Sequence, residues 1–444
     1  MKPTTKLSAR AGTTHEGGRA ARLTDEQTLR RSVLACLLWE DTFYEDGEGV
    51  HDRIVRLCGT VKPGVVSALA VEARQKHNLR HVPLLLCREL VRAGHLSAET
   101  LAGCLQRADE PQQFLALLWD GGKHYIPRAV RRGIITALGM WTEYHLSKWG
   151  RSGPITMRDV LRMVRPKPES AEQAELWRKV VKQELAPPDT WETAFLRAGK
   201  GADKKAVWTH LLVKSALPSL ALLRNLRNMK EADVEKGLVA AALEKANFSR
   251  VLPFRFLAAA RAVPSWEDMI DTAMLRQTPA RVLPGKTVLL VDGSGSMAHP
   301  MSEKSDLTRM DGAAGLAILA REACEDAAIY TFRGPTYQSG NDIRVEQVPP
   351  RRGMALRDAL GPPDGGTPMA EALRVANQSC DRLLVFTDEQ SRDDVGGGFG
   401  RRRYMVNVGT DEKGVGYGDW TRVNGFSEAV LDFICEYEDL TEQD

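Results

Sequence analysis

Asp292, Ser294 and Ser296 follow directly on the apolar run Val288-Leu289-Leu290-Val291. Four consecutive apolar residues suit a strand buried on both faces of a parallel sheet. An Asp-x-Ser-x-Ser set at its carboxyl end places one carboxylate and two hydroxyls around a single point. Two later segments extend the same chemistry. Gly365-Gly366-Thr367-Pro368 offers a third hydroxyl ahead of a helix-like run over residues 369–377, and Leu383-Leu384-Val385-Phe386-Thr387-Asp388 is a second buried-strand pattern ending in a carboxylate. Hard oxygen ligands of modest total charge suit Mg²⁺ or another divalent cation, which keeps several waters and leaves room for an outside carboxylate or phosphate oxygen. A nuclease would need more: the site has no second metal cluster and no nearby general base, and His299 alone reads as a solvated loop histidine. There is no Gly-x-x-x-x-Gly-Lys-Ser/Thr phosphate loop and no Gly-x-Ser-x-Gly elbow. The chain is therefore expected to bind rather than catalyse.

This ordered set resembles the metal-ion-dependent adhesion site of the von Willebrand factor A domain. The resemblance implies Ser294, Ser296 and Thr367 as ligands, with Asp292 and Asp388 acting directly or through water. The surrounding pattern alternates. A helix is expected over 311–324, a strand over 327–332, an extended piece over 343–348, a short helix over 354–360, a strand over 404–408 and a last helix over 427–437. Alternating strands and helices predict a doubly wound α/β sheet with its ligands at the carboxyl ends of the strands. Between the last two strands, Arg401, Arg402 and Arg403 follow a glycine-rich stretch and read as a flexible basic loop, solvated or touching phosphates near the metal site.

Strand-like alternation is absent before about residue 280. Thr24 and Gln27 form a capping-box pattern, and amphipathic units separated by turns such as Pro63-Gly64 and Ala93-Gly94 follow one another. Helix pairs with short connections predict an α-solenoid of the HEAT or armadillo kind, although no strict period is present. Three of these helices carry organised positive charge. Over residues 126–148, Arg128, Arg131 and Arg132 share one face, opposite Ile126, Val130, Ile134 and Leu138. The next helix opens on a Thr156/Asp159 capping box and stops at Pro166, with Arg158, Arg162 and Arg165 one turn apart and Lys148, Arg151 and Lys167 at its ends. Such a stripe can track a phosphate backbone, because ordinary solvated faces interleave Glu with Arg and here Asp159 is the single acid between Ser147 and Lys167. A third helix, over 217–229, places Arg224, Arg227 and Asn228 on one side.

The net charge of +3 over 444 residues hides an asymmetry. Residues 1–280 hold 43 Lys and Arg against 31 Asp and Glu, a charge of +12, whereas 281–444 hold 18 against 27, a charge of −9. A basic helical part suggests a polyanionic partner. Seven scattered cysteines (36, 58, 87, 104, 324, 380, 435) without a Cys-x-x-Cys fit reduced thiols in a cytoplasmic protein. No apolar run approaches membrane-spanning length and no signal-peptide core is present.

Taken in order, the chain resembles the Ro autoantigen family, the TROVE-module RNA-binding proteins with a C-terminal von Willebrand factor A domain, in its bacterial or phage branch. The resemblance is carried by Glu16-Gly17-Gly18-Arg19-Ala20, by Met157-Arg158-Asp159-Val160-Leu161-Arg162 with Lys167-Pro168, and by Trp208. Ala221-Leu222-Leu223-Arg224-Asn225-Leu226, Leu252-Pro253-Phe254-Arg255-Phe256-Leu257, the adhesion motif and Val423-Asn424-Gly425-Phe426 complete it. It implies an arm (1–22), a helical-repeat RNA-binding domain (23–280) and an A domain (281–444), the repeats forming a monomeric ring closed by the A domain. It further implies single-stranded 3′ ends of misfolded RNAs in a central hole, a Y-like RNA on the outer basic surface around 126–167, and an exoribonuclease as a possible tethered partner. Arg165 stands where the animal proteins have histidine, which keeps phosphate binding but not base reading. A protein-binding adaptor, capturing a partner carboxylate through Mg²⁺, is the rival expectation.

Overall fold

Local sequence signals set the helix starts. Helix α1 (Asp25–Ala35) opens on the expected box: the Thr24 amide donates to Gln27 Oε1 at 3.0 Å and the Gln27 amide to Thr24 Oγ1 at 3.2 Å. The computed structural model describes residues 24–35, 48–119, 125–149, 154–199, 201–248, 253–276, 282–300, 307–336, 342–409 and 420–424, with single positions beyond these. The arm over 1–22, Cys36, Arg151 and much of the last expected helix lie outside the described residues. Two compact units divide between Val207 and Trp208.

The unit Phe43–Val207 is helical. It contains α2 (Glu48–Cys58), α3 (Pro63–Gln75), α4 (His81–Arg92), α5 (Ala98–Cys104), α6 (Glu110–Leu118), α7 (Arg128–Leu138), α8 (Glu143–Trp149), α9 (Met157–Val164), α10 (Ala171–Lys182) and α11 (Trp191–Ala198); α12 (Lys204–Val213) crosses the division. Helices α3 and α4 pair, α5 lies on α3 and α7, α4 on α6, and α9 touches α6, α7 and α10, the stacked-pair arrangement of helical repeats. Gly133 lets α7 approach α5, since a Cβ there would meet the Ala98 carbonyl at 2.9 Å. Fully buried Glu110 ties the stack together, accepting Arg74 Nη2 at 2.8 Å and the Gln106 and Arg107 amides at 2.6 and 2.8 Å. Losing either partner of such a buried pair costs about 3–5 kcal/mol.

The other unit joins the N-terminal residues to everything from Trp208 onward. The helix expected over 217–229 is broken into α13 (Ser219–Arg224) and α14 (Leu226–Glu231). The Asn225 carboxamide causes the break: its Nδ2 donates to the Ala221 carbonyl at 2.8 Å, competing with the helical ladder, and its Oδ1 accepts Asn228 Nδ2 at 2.9 Å. Helices α15 (Lys236–Lys245), α16 (Pro253–Ala262) and α17 (Glu267–Leu275) follow.

The change of pattern then falls between Leu275 and Leu283. Strand β1 (Leu283–Asp292), α18 (Arg309–Ala323), β2 (Cys324–Arg333), β3 (Arg344–Val348), α19 (Gly353–Leu360), α20 (Met369–Val375), β4 (Arg382–Thr387), β5 (Arg402–Asn407) and β6 (Thr421–Asn424) form a six-stranded sheet in the order β3-β2-β1-β4-β5-β6. Only edge strand β3 runs antiparallel. Val288–Val291 and Leu383–Phe386 are wholly buried at its centre. Helix α16 packs on α18, where Gly315 lies against Pro253 and Phe254, and Arg261 pairs with Asp311 at 2.6 Å. Helix α1 packs on β6.

The expected basic loop is corrected at two positions. Arg402 and Arg403 open β5; Arg402 pairs with buried Glu438 at 2.8 Å, and Arg403 donates to the Gly397 carbonyl at 2.6 Å. Glu438 also accepts Tyr404 Oη at 2.9 Å and Arg382 Nε at 2.6 Å, which ties it to β4 and β5.

Candidate functional site

In a doubly wound sheet the crevice lies where connections leave in opposite directions from adjacent strands. Here those strands are β1 and β4, and the sequence places Asp292 at the end of one and Asp388 just past the other. Both carboxylates are fully buried, as are Ser294 and Thr367, and Ser296 is nearly so. Asp292 Oδ1 accepts the Ser294 amide at 2.9 Å and its Oδ2 accepts Thr387 Oγ1 at 2.6 Å. The Ser294 and Ser296 hydroxyls stand 3.2 Å apart.

Three loops are pinned to one another around these groups. The Gly295 amide donates to the Gly365 carbonyl at 2.7 Å and the Asp364 amide to the Gly293 carbonyl at 2.8 Å. The Thr367 carbonyl accepts both the Arg392 amide at 3.2 Å and Ser391 Oγ at 3.3 Å. Glycine is required at Gly293, where a Cβ would stand 2.8 Å from Arg333 Nε, and the close approach of Gly295 to Gly365 has the same origin. All five expected ligands therefore lie on three joined loops at the carboxyl edge.

Burial, and then the neighbouring Asp388 carboxylate, pushes Asp292 up to about 7. Two carboxylates in a dry site repel, and a divalent cation relieves that repulsion. Among the described residues no group of three His, Cys, Asp or Glu is placed to hold a metal, so this site would rely on hydroxyls and two carboxylates, an oxygen set suited to Mg²⁺.

One residue here was not anticipated. Arg309 Nη1 lies 2.8 Å from Asp388 Oδ2, with its side chain only 12% exposed. Arg309 is the first residue of α18, after the N-cap Thr308 and its Asp311 box. A cation in the first helical turn opposes the helix dipole, and that is the signal in the sequence that could have marked it. Thr387, the residue before Asp388, orients Asp292 through its hydroxyl.

The basic residues fall into two sets. On α7, Arg128 and Arg132 are exposed and Arg131 half-buried; on the adjoining α9, Arg162 is exposed and Arg158 half-buried, with Arg165 and Lys167 exposed just beyond it. None of these six arginines makes an ion pair with another described residue. The expected box at α9 is present, Asp159 accepting the Thr156 amide at 3.0 Å and Thr156 Oγ1 accepting the Asp159 amide at 3.3 Å. The helix ends on Arg165 in the left-handed region (φ 47°, ψ 61°), a position that usually takes glycine or asparagine. Lys148 lies on α8 beside Tyr144 and Trp149. Arg224 and Arg227 are exposed in the other unit, Arg227 with Glu231 3.7 Å away.

Residues 181–305 match the TROVE domain family, a stretch running from the end of α10 through the Asp292-x-Ser294-x-Ser296 motif. Among solved structures, the crystal structure of the Deinococcus radiodurans RO (RSR) protein is similar in fold. Its TM-score is 0.55 at 18% sequence identity, over 92% of this chain and 98% of that one. The two proteins thus share a fold over almost their whole length, and residues 181–305 of this chain carry the TROVE match.

Proposed function

We propose that the protein binds RNA without acting on it chemically. In this reading the basic faces of α7 and α9, with Lys148, hold the phosphates of a small structured, Y-like RNA. Single-stranded 3′ ends of misfolded RNAs enter the hole of a closed ring, in RNA quality control or processing, and an exoribonuclease can be tethered through the bound RNA. The observation that carries the reading is the set of six arginines on adjoining helices with no acidic side chain paired to them among the described residues. Arginines on adjoining helices with no acidic partner are available to phosphate oxygens. The contact between α1 and β6 supports ring closure, since it brings the first named helix together with the last named strand among the described residues. Asp292, Ser294, Ser296, Thr367 and Asp388 would hold Mg²⁺, which supplies an open coordination position for an outside carboxylate or phosphate oxygen.

The test is RNA binding across a salt series by the wild type and by Arg158→Glu/Arg162→Glu/Arg165→Glu. With slopes of about −0.7 to −0.9 per neutralised phosphate, the triple variant should show a shallower salt dependence by about three contacts' worth, and should lose structured-RNA binding at moderate salt. Its circular dichroism should match the wild type, because Arg162 and Arg165 are exposed and Arg158 is only half-buried. Unchanged affinity in a folded variant overturns the reading.

A further inference from the structure

We propose that α8 carries a stacking platform for an unpaired nucleobase of the bound RNA, formed by Tyr144 backed by Trp149, with Lys148 taking the adjoining phosphate. The inference rests on the RNA-binding reading and adds to it a contact that charge alone does not provide.

Its first support is where the exposed aromatic side chains lie. Among the described residues, Tyr125 (78% exposed) and Tyr144 (44%) are the aromatic side chains that stand out into solvent. They sit at the start of α7 and on α8, the segment that also carries Arg128, Arg131, Arg132 and Lys148. Exposed rings beside cations are the pairing found in single-strand binding grooves.

The second support is preorganisation. Lys148 Nζ lies 3.2 Å from Tyr144 Oη, 5.5 Å from the Tyr144 ring centre and 5.0 Å from that of Trp149. Tyr144 stands edge-on to Trp149, with ring centres 6.4 Å apart, and edge-on to His145 at 5.8 Å. Trp149 is held in turn. His145 stacks on it at 5.9 Å, and Arg107 covers it at 4.9 Å from the ring centre. His145 Nδ1 accepts the Thr142 amide at 3.2 Å, and Arg107 is clamped by both Asp109 oxygens at 3.0 and 2.8 Å. A ring fixed in this way loses little freedom when a base stacks on it.

The experiment uses the full chain and the anisotropy of labelled RNA: a hairpin with a short single-stranded uridine tail, and the same hairpin with an abasic tail. Tyr144→Ala should weaken binding of the base-bearing tail roughly ten-fold, in the range seen for lost base–aromatic stacking. Leu196→Ala, at an exposed apolar residue of α11 (78%), should bind like the wild type. The Tyr144→Ala salt line should run parallel to the wild-type line, since no charge is removed. The abasic tail should weaken wild-type binding equally, and Tyr144→Ala should cost nothing further on it. Undiminished binding by Tyr144→Ala, or equal losses on both tails, overturns the platform while leaving the phosphate reading intact. A wild type that binds neither RNA overturns both.

Discussion

Asp388 is the observed partner of Arg309 and, in the proposed reading, also a ligand for a divalent cation. Its charge is buried and needs compensation in either role. Arg309 and a divalent cation should therefore compete electrostatically. In Arg309→Gln the protein without metal should be destabilised, because truncating one partner of a buried pair leaves the other uncompensated, at a cost of about 3–5 kcal/mol. The same variant should bind Mg²⁺ or Mn²⁺ more tightly, on the order of ten-fold, because a like charge has left the site. Titration calorimetry and metal-dependent thermal shifts read both signs. Weaker metal binding would mean instead that Arg309 orients Asp388 for the cation. The five oxygen donors were legible in the sequence because each directly follows or closely flanks a buried run or a glycine turn. Arg309 was not, because it lies 79 positions from its partner and only the sheet topology brings the two together.

Helix α9 shows how an element reconciles stability with a basic surface. Its single acid, Asp159, closes the capping box, and the Thr156 hydroxyl followed by the Thr156 amide holds its carboxyl below the usual range, with Arg158 and Arg162 adding smaller contributions. A depressed folded-state pKa stabilises above the ordinary carboxylate range, and that contribution is lost as pH falls through the folded value. Asp159→Ala should therefore lose about 1 kcal/mol at neutral pH and show a flatter acid limb in pH-dependent thermal unfolding. RNA affinity should hold or rise, since the change removes a negative charge between two arginines. A loss of affinity with the fold intact would show that the box positions the stripe. This cap was readable from Thr156 and Asp159 because capping is local. The break at Asn225 was not, since the residues on either side keep helical spacing and only the carboxamide's choice of the Ala221 carbonyl ends the helix.

At the scale of the whole molecule, the sequence divided the chain by pattern, helices before about 280 and alternating strands after, whereas compactness divides it between Val207 and Trp208. The difference is physical. Gly315 and the Arg261–Asp311 pair let α16 settle on α18, and neither contact leaves a trace in local periodicity. The proposed ring would make a topological demand that a basic surface does not: an RNA tail would have to present a free end to enter its hole. A hairpin with a free single-stranded 3′ tail should bind more tightly than the same hairpin blunt or than a duplex of equal length. Closing the tail's end with a second stable hairpin should abolish that gain. Stacking on Tyr144 needs an unpaired base but no free end, so Tyr144→Ala should still weaken binding of the end-blocked RNA. Tail-dependent binding that survives the block would therefore argue against threading and assign the whole single-strand preference to the outer surface.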